Sequence, residues 1–227
     1  MYAFLFIPIH AFVPGASNLP LWNSKGLIPV ILAHIGPTEF VYYWAHRDLH
    51  QHFLYRLYHS HHHSSFVTEP ITSVVHPFAE HLMYAAMFSI APLAAVITNT
   101  SSIGLVLGYM TWFDFINKMG HNNFEFFPSW AFKIFPPPKY IVYTPSFHSL
   151  YHSQVHTNFC LFMPLYDYLY GTVDKSSDTL YESAWEGRKE KVDFVYLTHM
   201  TSLLSFFHLR LGFASFAAKP YSSKWYM

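Results

Sequence analysis

LMYAAMFSIAPLAAVITNTSSIGLVLGYMTWFDFI, residues 82–116, is two apolar arms around a polar break at 98–102. Each arm has about 15 strongly apolar residues, short of the roughly 17 that crossing a bilayer requires, so tilt or flanking residues must extend them. The pattern predicts a helical hairpin. Upstream, LIPVILAHIGPTEFVYYW at 27–44 is a third apolar segment. Pro29, Pro37 and Glu39 interrupt it, but membrane helices tolerate proline where neighbours satisfy the freed carbonyls. The expected fold is all-α, a set of multi-pass membrane helices.

Composition agrees. Of 227 residues, 52% are hydrophobic and 20% aromatic, above the usual soluble balance, so a lipid environment is expected for what length suggests is one domain, 1–227. Thirteen basic residues offset thirteen acidic ones, so the charge footprint of a nucleic-acid binder is missing. Cys160 is the only cysteine, which excludes internal disulfides and points to a reducing compartment. MYAFLFIPIHAFVP at 1–14 has no positive flank and reads poorly as a signal peptide. Prolines cluster in FFPSW, FPPPKY and YTPS, marking a loop-rich connection, and EGRKEK at 186–191 reads as a solvated segment. If the three apolar segments span, the histidine-rich stretches emerge on one side together with Arg47, Arg56, Lys118, Lys133 and Lys139. That face is then cytosolic, with Lys25 as the exception.

Seventeen histidines is too dense for packing alone to explain. His46 and His50 in HRDLH stand at i and i+4, His59, His62 and His63 in HSHHH at i, i+3 and i+4, and His148 and His152 in FHSLYH again at i and i+4. On a helix each set shares a face, as a metal ion needs if one helix is to donate several nitrogens. On an unbroken helix the first two sets would face opposite ways, so a break is expected between about Gln51 and Tyr58. His61 points away from its neighbours. His76 and His121 are isolated, but each lies beside an apolar arm. The nitrogens exceed what one zinc site uses, so two ions fit better. Imidazole suits iron, copper and zinc alike. Iron is favoured for activating dioxygen against an unreactive acyl chain.

HRDLH, HSHHH and FHSLYH resemble the three histidine boxes of the fatty acid hydroxylase and sterol desaturase superfamily. YHSHHHSSFVTEPITSVVHPFAEH, MGHNNFE and LFMPLYDYLYGTVDKSSDTLYE are similar to plant cuticular-wax proteins of the eceriferum type, the alkane-forming aldehyde decarbonylases. The resemblance runs from about Leu19 to the end. It implies an endoplasmic reticulum membrane enzyme holding two irons per chain, taking electrons from cytochrome b5 and converting very-long-chain aldehydes to alkanes one carbon shorter. It also implies membrane helices before this start and a soluble domain after this end, so the chain is expected to be part of a longer protein. Carried over by position, the metal ligands are His46, His50, His59, His62, His63, His148 and His152, with His76 and His121 added. Tyr151 stands where the family has a histidine, and could ligate as a phenolate or leave a coordination position open.

Periodicity offers partners for these ligands. Glu39 lies two turns before His46, and Asp114 two turns before His121, where a carboxylate could orient the imidazole. Glu39 as a helix-end residue facing water has equal weight. Glu80 and His81 are read as capping the membrane boundary, and His156 as a surface or packing residue. Two other functions stay open: hydroxylation or desaturation of an acyl or sterol substrate by the same site, and a non-catalytic membrane partner that stabilises an active wax-family homologue.

Overall fold

The structure, a computed structural model, describes residues 18–64 and 68–186. The 1–14 segment and all but the first residue of the 186–191 charge run lie outside them. Among the described residues every regular element is helical and there is no strand.

The predicted hairpin is present. Its first arm is α4 (Phe78–Phe88) and α5 (Ile90–Ile97), notched at Ser89 because Pro92 has no N–H to give the Phe88 carbonyl. Its return arm is α6 (Ile103–Gly120). The polar break works as a turn: Asn99 takes a left-handed conformation (φ 53°), and Ser102 caps α6 by accepting from the Leu105 N–H. Flanking residues lengthen both arms beyond their apolar cores. By length and composition one helix among the described residues, Phe78–Ile97, can cross a membrane, where the sequence reading expects three spans.

Residues 27–49 form one continuous rod: α1 (Leu27–Ala33), a wide π turn (His34–Thr38) and α2 (Glu39–Leu49). The π turn follows from Pro37, whose missing N–H breaks the regular ladder, so that Glu39 bonds back to the His34 carbonyl. α1 packs on α5 through Val30 and Ala33 against Ala91 and Ala95, where small residues let the backbones approach. The opposite faces keep Ile28, Leu32, Leu82, Leu93, Ile97, Leu107 and Phe115 exposed.

The expected break falls at Gln51, which is extended (ψ 141°); α3 (His52–Leu57) follows, and the chain turns again at Tyr58. HSHHH then forms a 3₁₀ helix, His59–Ser64, not the α-helix its spacing suggested, and a second 3₁₀ turn covers Pro70–Val74. The proline-rich stretch contains two short helices, α7 (Ser129–Ile134) and α8 (Pro138–Ile141). α9 (Pro145–Gln154) carries the third histidine set, and α10 (Leu165–Tyr170) and α11 (Ser177–Glu186) complete the layer behind it.

Candidate metal centre

Local sequence explains how the histidines are aimed. α9 starts at Thr144, whose hydroxyl accepts from the Phe147 N–H, with Pro145 at the first helical position. The buried Glu125 carboxylate accepts from the Ser146 N–H at 2.7 Å, and burial pushes its pKa up to about 7. α6 ends at Gly120, where any Cβ would overlap the Tyr143 hydroxyl. That close approach lets Tyr143 donate to the Ile116 carbonyl at 3.0 Å and sets His121 as the helix cap. The 3₁₀ helix has three residues per turn, so His59 and His62 stack along one face with ring centroids 5.3 Å apart. One turn thereby serves two centres.

In the first centre His62, His121, His148 and His152 converge, all buried, with one ligand nitrogen from each within 4.8 Å of the others. The Nε2 separations are 3.5 Å for His62–His121, 2.9 Å for His121–His148 and 3.2 Å for His148–His152. Metal–nitrogen bonds of about 2.1 Å place tetrahedral donors about 3.4 Å apart, so the set fits one ion. His121 donates from Nδ1 to the Asn117 carbonyl (2.8 Å), which turns the Nε2 lone pair inward. Burial first, and neighbouring imidazoles second, hold His62, His148 and His152 well below the ordinary histidine range, and burial lowers His121 to about 3. These rings are neutral donors at physiological pH. A proton can sit between two imidazoles, whereas a cation satisfies four at once.

The second centre gathers His46, His50 and His59, again buried. His46 and His59 approach to 3.1 Å at Nε2. Here the Tyr151 hydroxyl lies among the nitrogens, 2.5 Å from His46, 3.0 Å from His50 and in closer contact still with His59. A third grouping, His59, His76 and Glu80, adjoins it. His63 joins none of these groups: its Nδ1 donates to the His152 carbonyl at 3.4 Å and its ring packs against His50 and Tyr151. His61 is buried with Nδ1 against the Tyr58 carbonyl, outside the converging sets, and His156 is exposed.

The acidic partners differ from the sequence reading. Glu80 is not a boundary cap. It is buried beneath the second centre, accepting from His59 Nδ1 at 2.6 Å and from the Tyr84 hydroxyl at 2.6 Å, with His76 Nδ1 at 3.1 Å. Asp114 does not orient His121, since its side chain turns outward to pair with Lys118. Glu39 neither faces water nor touches His46. Buried near His34, it accepts from the Phe162 N–H at 3.1 Å. Asp167, which sequence reasoning missed, accepts from the N–H groups of Phe159 and Cys160, both at 2.8 Å, and from Thr172 Oγ1 at 2.6 Å. Burial raises its pKa to about 6. The two acids pin the 159–162 strip, whose Phe159 carbonyl accepts from His46 Nδ1 at 2.8 Å. Only the DY pair in PLYDYLYG hinted at Asp167.

The fatty acid hydroxylase family model matches residues 31–172, which contain every histidine of both centres. The chain belongs to the fatty acid hydroxylase family. Among curated relatives, the very-long-chain aldehyde decarbonylase GL1-4 of Oryza sativa is 58% identical over 225 residues, covering 98% of this chain and 36% of the relative. The very-long-chain aldehyde decarbonylase CER1 of Arabidopsis thaliana is 55% identical over 215 residues, 95% of this chain and 34% of the relative. The Arabidopsis protein CER1-like 1 is 54% identical over 217 residues, 95% and 35%. The chain thus spans about a third of the length of these relatives. No solved structure matches.

Proposed function

We propose that this chain is the metal-holding portion of a membrane enzyme of wax biosynthesis that converts very-long-chain aldehydes to alkanes one carbon shorter. The observation that carries the reading is the convergence of four buried, neutral imidazoles at metal-ligand spacing, in a chain 58% identical to a protein named for that activity. His62, His121, His148 and His152 would hold the ion. Iron there would supply the oxygen-activating chemistry that unreactive hydrocarbon demands. The protein's own work is to fix the His121 tautomer through the Asn117 carbonyl, exclude water by deep burial, and keep the rings neutral. The C1–C2 bond of the aldehyde would break, C1 leaving as formate with an oxygen atom from dioxygen and C2 taking up a hydrogen to give the alkane, while electrons from an external donor such as cytochrome b5 reduce the other oxygen atom to water.

The exposed apolar faces of 27–49, 78–97 and 103–120 support a membrane setting, which the reading takes to be multi-pass in the endoplasmic reticulum with the histidine centres toward the cytosol. Expression in cells fed long aldehydes, followed by gas chromatography, tests the reading. An alkane one carbon shorter than the aldehyde is expected, and hydroxylated or desaturated products overturn it. A second reading is favoured by Tyr151: with a hydroxyl among three candidate ligands, the chain could serve as a non-catalytic membrane partner of an active homologue. In that case alkane appears only when the homologue is co-expressed.

A further inference from the structure

We infer that this chain holds one metal ion, at His62, His121, His148 and His152, and that the Tyr151 hydroxyl occupies the position of a second ion among His46, His50 and His59. The inference rests on reading the histidine centre as a metal site.

Distance is the first argument. An ion bound by His46, His50 and His59 must lie about 2.1 Å from each Nε2. The Tyr151 oxygen is already there, 2.5 Å from His46, 3.0 Å from His50 and closest to His59. A phenol extends farther from its backbone than an imidazole by roughly one metal–ligand bond, about 2 Å. Tyrosine at 151 therefore delivers its oxygen to the ion's place instead of to a ligand's place.

Hydrogen-bond capacity is the second. A phenol hydroxyl both donates and accepts, so it can meet imidazole nitrogens of either kind, a lone pair or an N–H. His46 uses Nδ1 as a donor to the Phe159 carbonyl, which leaves its Nε2 to accept the phenol proton. Among the described residues His50 has no partner for Nδ1, so its ring can donate from Nε2 to the phenol oxygen. The hydroxyl thus accepts from His50 and sets its one proton between the Nε2 lone pairs of His46 and His59, whose Nδ1 already donates to Glu80, in the place where an ion would meet all three rings.

Packing is the third. Tyr151 is fully buried, clustered with Tyr43 and Phe159, and its ring lies 4.5 Å from that of His63 and 5.0 Å, stacked, from that of His148. For the phenol to act as a ligand its oxygen would have to withdraw by about a bond length from all three imidazoles, and these neighbours block that path. Among the described residues the four-histidine centre has no such intruder.

The test is metal content. The full chain, purified anaerobically in detergent, is loaded with Fe(II), washed, and assayed for iron per chain by elemental mass spectrometry. One iron is expected for the natural chain, close to none after His148→Ala, and still one after His50→Ala. Tyr151→His should raise the count to two. Should that variant fail to fold, Tyr151→Phe, which removes only the oxygen, should admit a second, more weakly held iron. Two irons in the natural chain overturn the inference while leaving the metal-site reading intact. In that event a phenolate-to-iron(III) charge-transfer band on oxidation, lost in Tyr151→Phe, would identify the tyrosine as a ligand. No iron in any variant overturns the metal-site reading itself.

Discussion

The two histidine centres invite comparison because so much about them is the same. Both are buried, both use neutral-ring donors from separated segments, and both draw on one 3₁₀ turn, which sends His59 to one and His62 to the other. They differ in what lies at the middle. In the four-histidine centre the nitrogens face one another across 2.9–3.5 Å, whereas in the three-histidine centre they face a tyrosine oxygen. Donor identity and spacing therefore do not by themselves make a metal site. The central volume must also be free, and a single side chain reaching one bond too far can fill it.

The sharpest way to break this contrast is to remove one ligand from each centre. His148→Ala should weaken metal binding by more than about 100-fold, beyond the range of losing an outer hydrogen-bond partner, whereas His50→Ala should leave metal content unchanged. Calorimetric titration with Fe(II) or Zn(II) reads both. Equal losses would show that the centres are equivalent.

Acidification comes next. His62, His121, His148 and His152 have folded-state pKa values below the ordinary 6.5, so below that pH the unfolded chain takes up protons that the folded chain refuses. Their contribution is present above about pH 6.5 and is lost as pH falls, by up to about 1.4 kcal/mol per pH unit for each histidine. The metal-free protein should thus lose on the order of 5 kcal/mol between pH 6.5 and 5.5 in denaturant melts. A flat profile would mean that these rings are already charged or hydrated.

Glu80→Gln probes the support beneath the second centre. It replaces a carboxylate that accepts from His59 and Tyr84 and should cost about 1–3 kcal/mol of stability. Iron bound by the four-histidine centre should not change. The smallest effect is expected for Asp114→Asn, which breaks only a partly exposed pair with Lys118. Its cost should stay below about 1 kcal/mol, and iron affinity should be unaltered. A large drop in affinity would restore the direct role for Asp114 that helical periodicity suggests.

Local pattern made much of this legible. Hydrophobic blocks and the polar break marked the helical hairpin, and opposed azimuths of the first two histidine sets required the chain to fold back near Gln51, where an extended residue is found. What failed was the pairing of acids with histidines along one helix face. Periodicity paired Glu39 with His46 and Asp114 with His121, yet the first acid serves the backbone of a strip 123 residues away and the second turns outward. Glu80 and Asp167 could not be assigned because the partners that tie them to the site, His59 and the Phe159 and Cys160 N–H groups, lie outside their own helices.

Sequence by itself determined that the chain is helical, apolar and supplied with imidazoles in three clusters, since those features depend on spacing within a turn or two. Only the tertiary structure decided which histidines share a centre, which acids support them, and that Tyr151 sits inside a ring of nitrogens instead of beside it. Side-chain periodicity fixes direction around a helix axis, but distance between helices is set by packing, and whether a hydroxyl lands on a ligand or on its metal is a matter of about 2 Å.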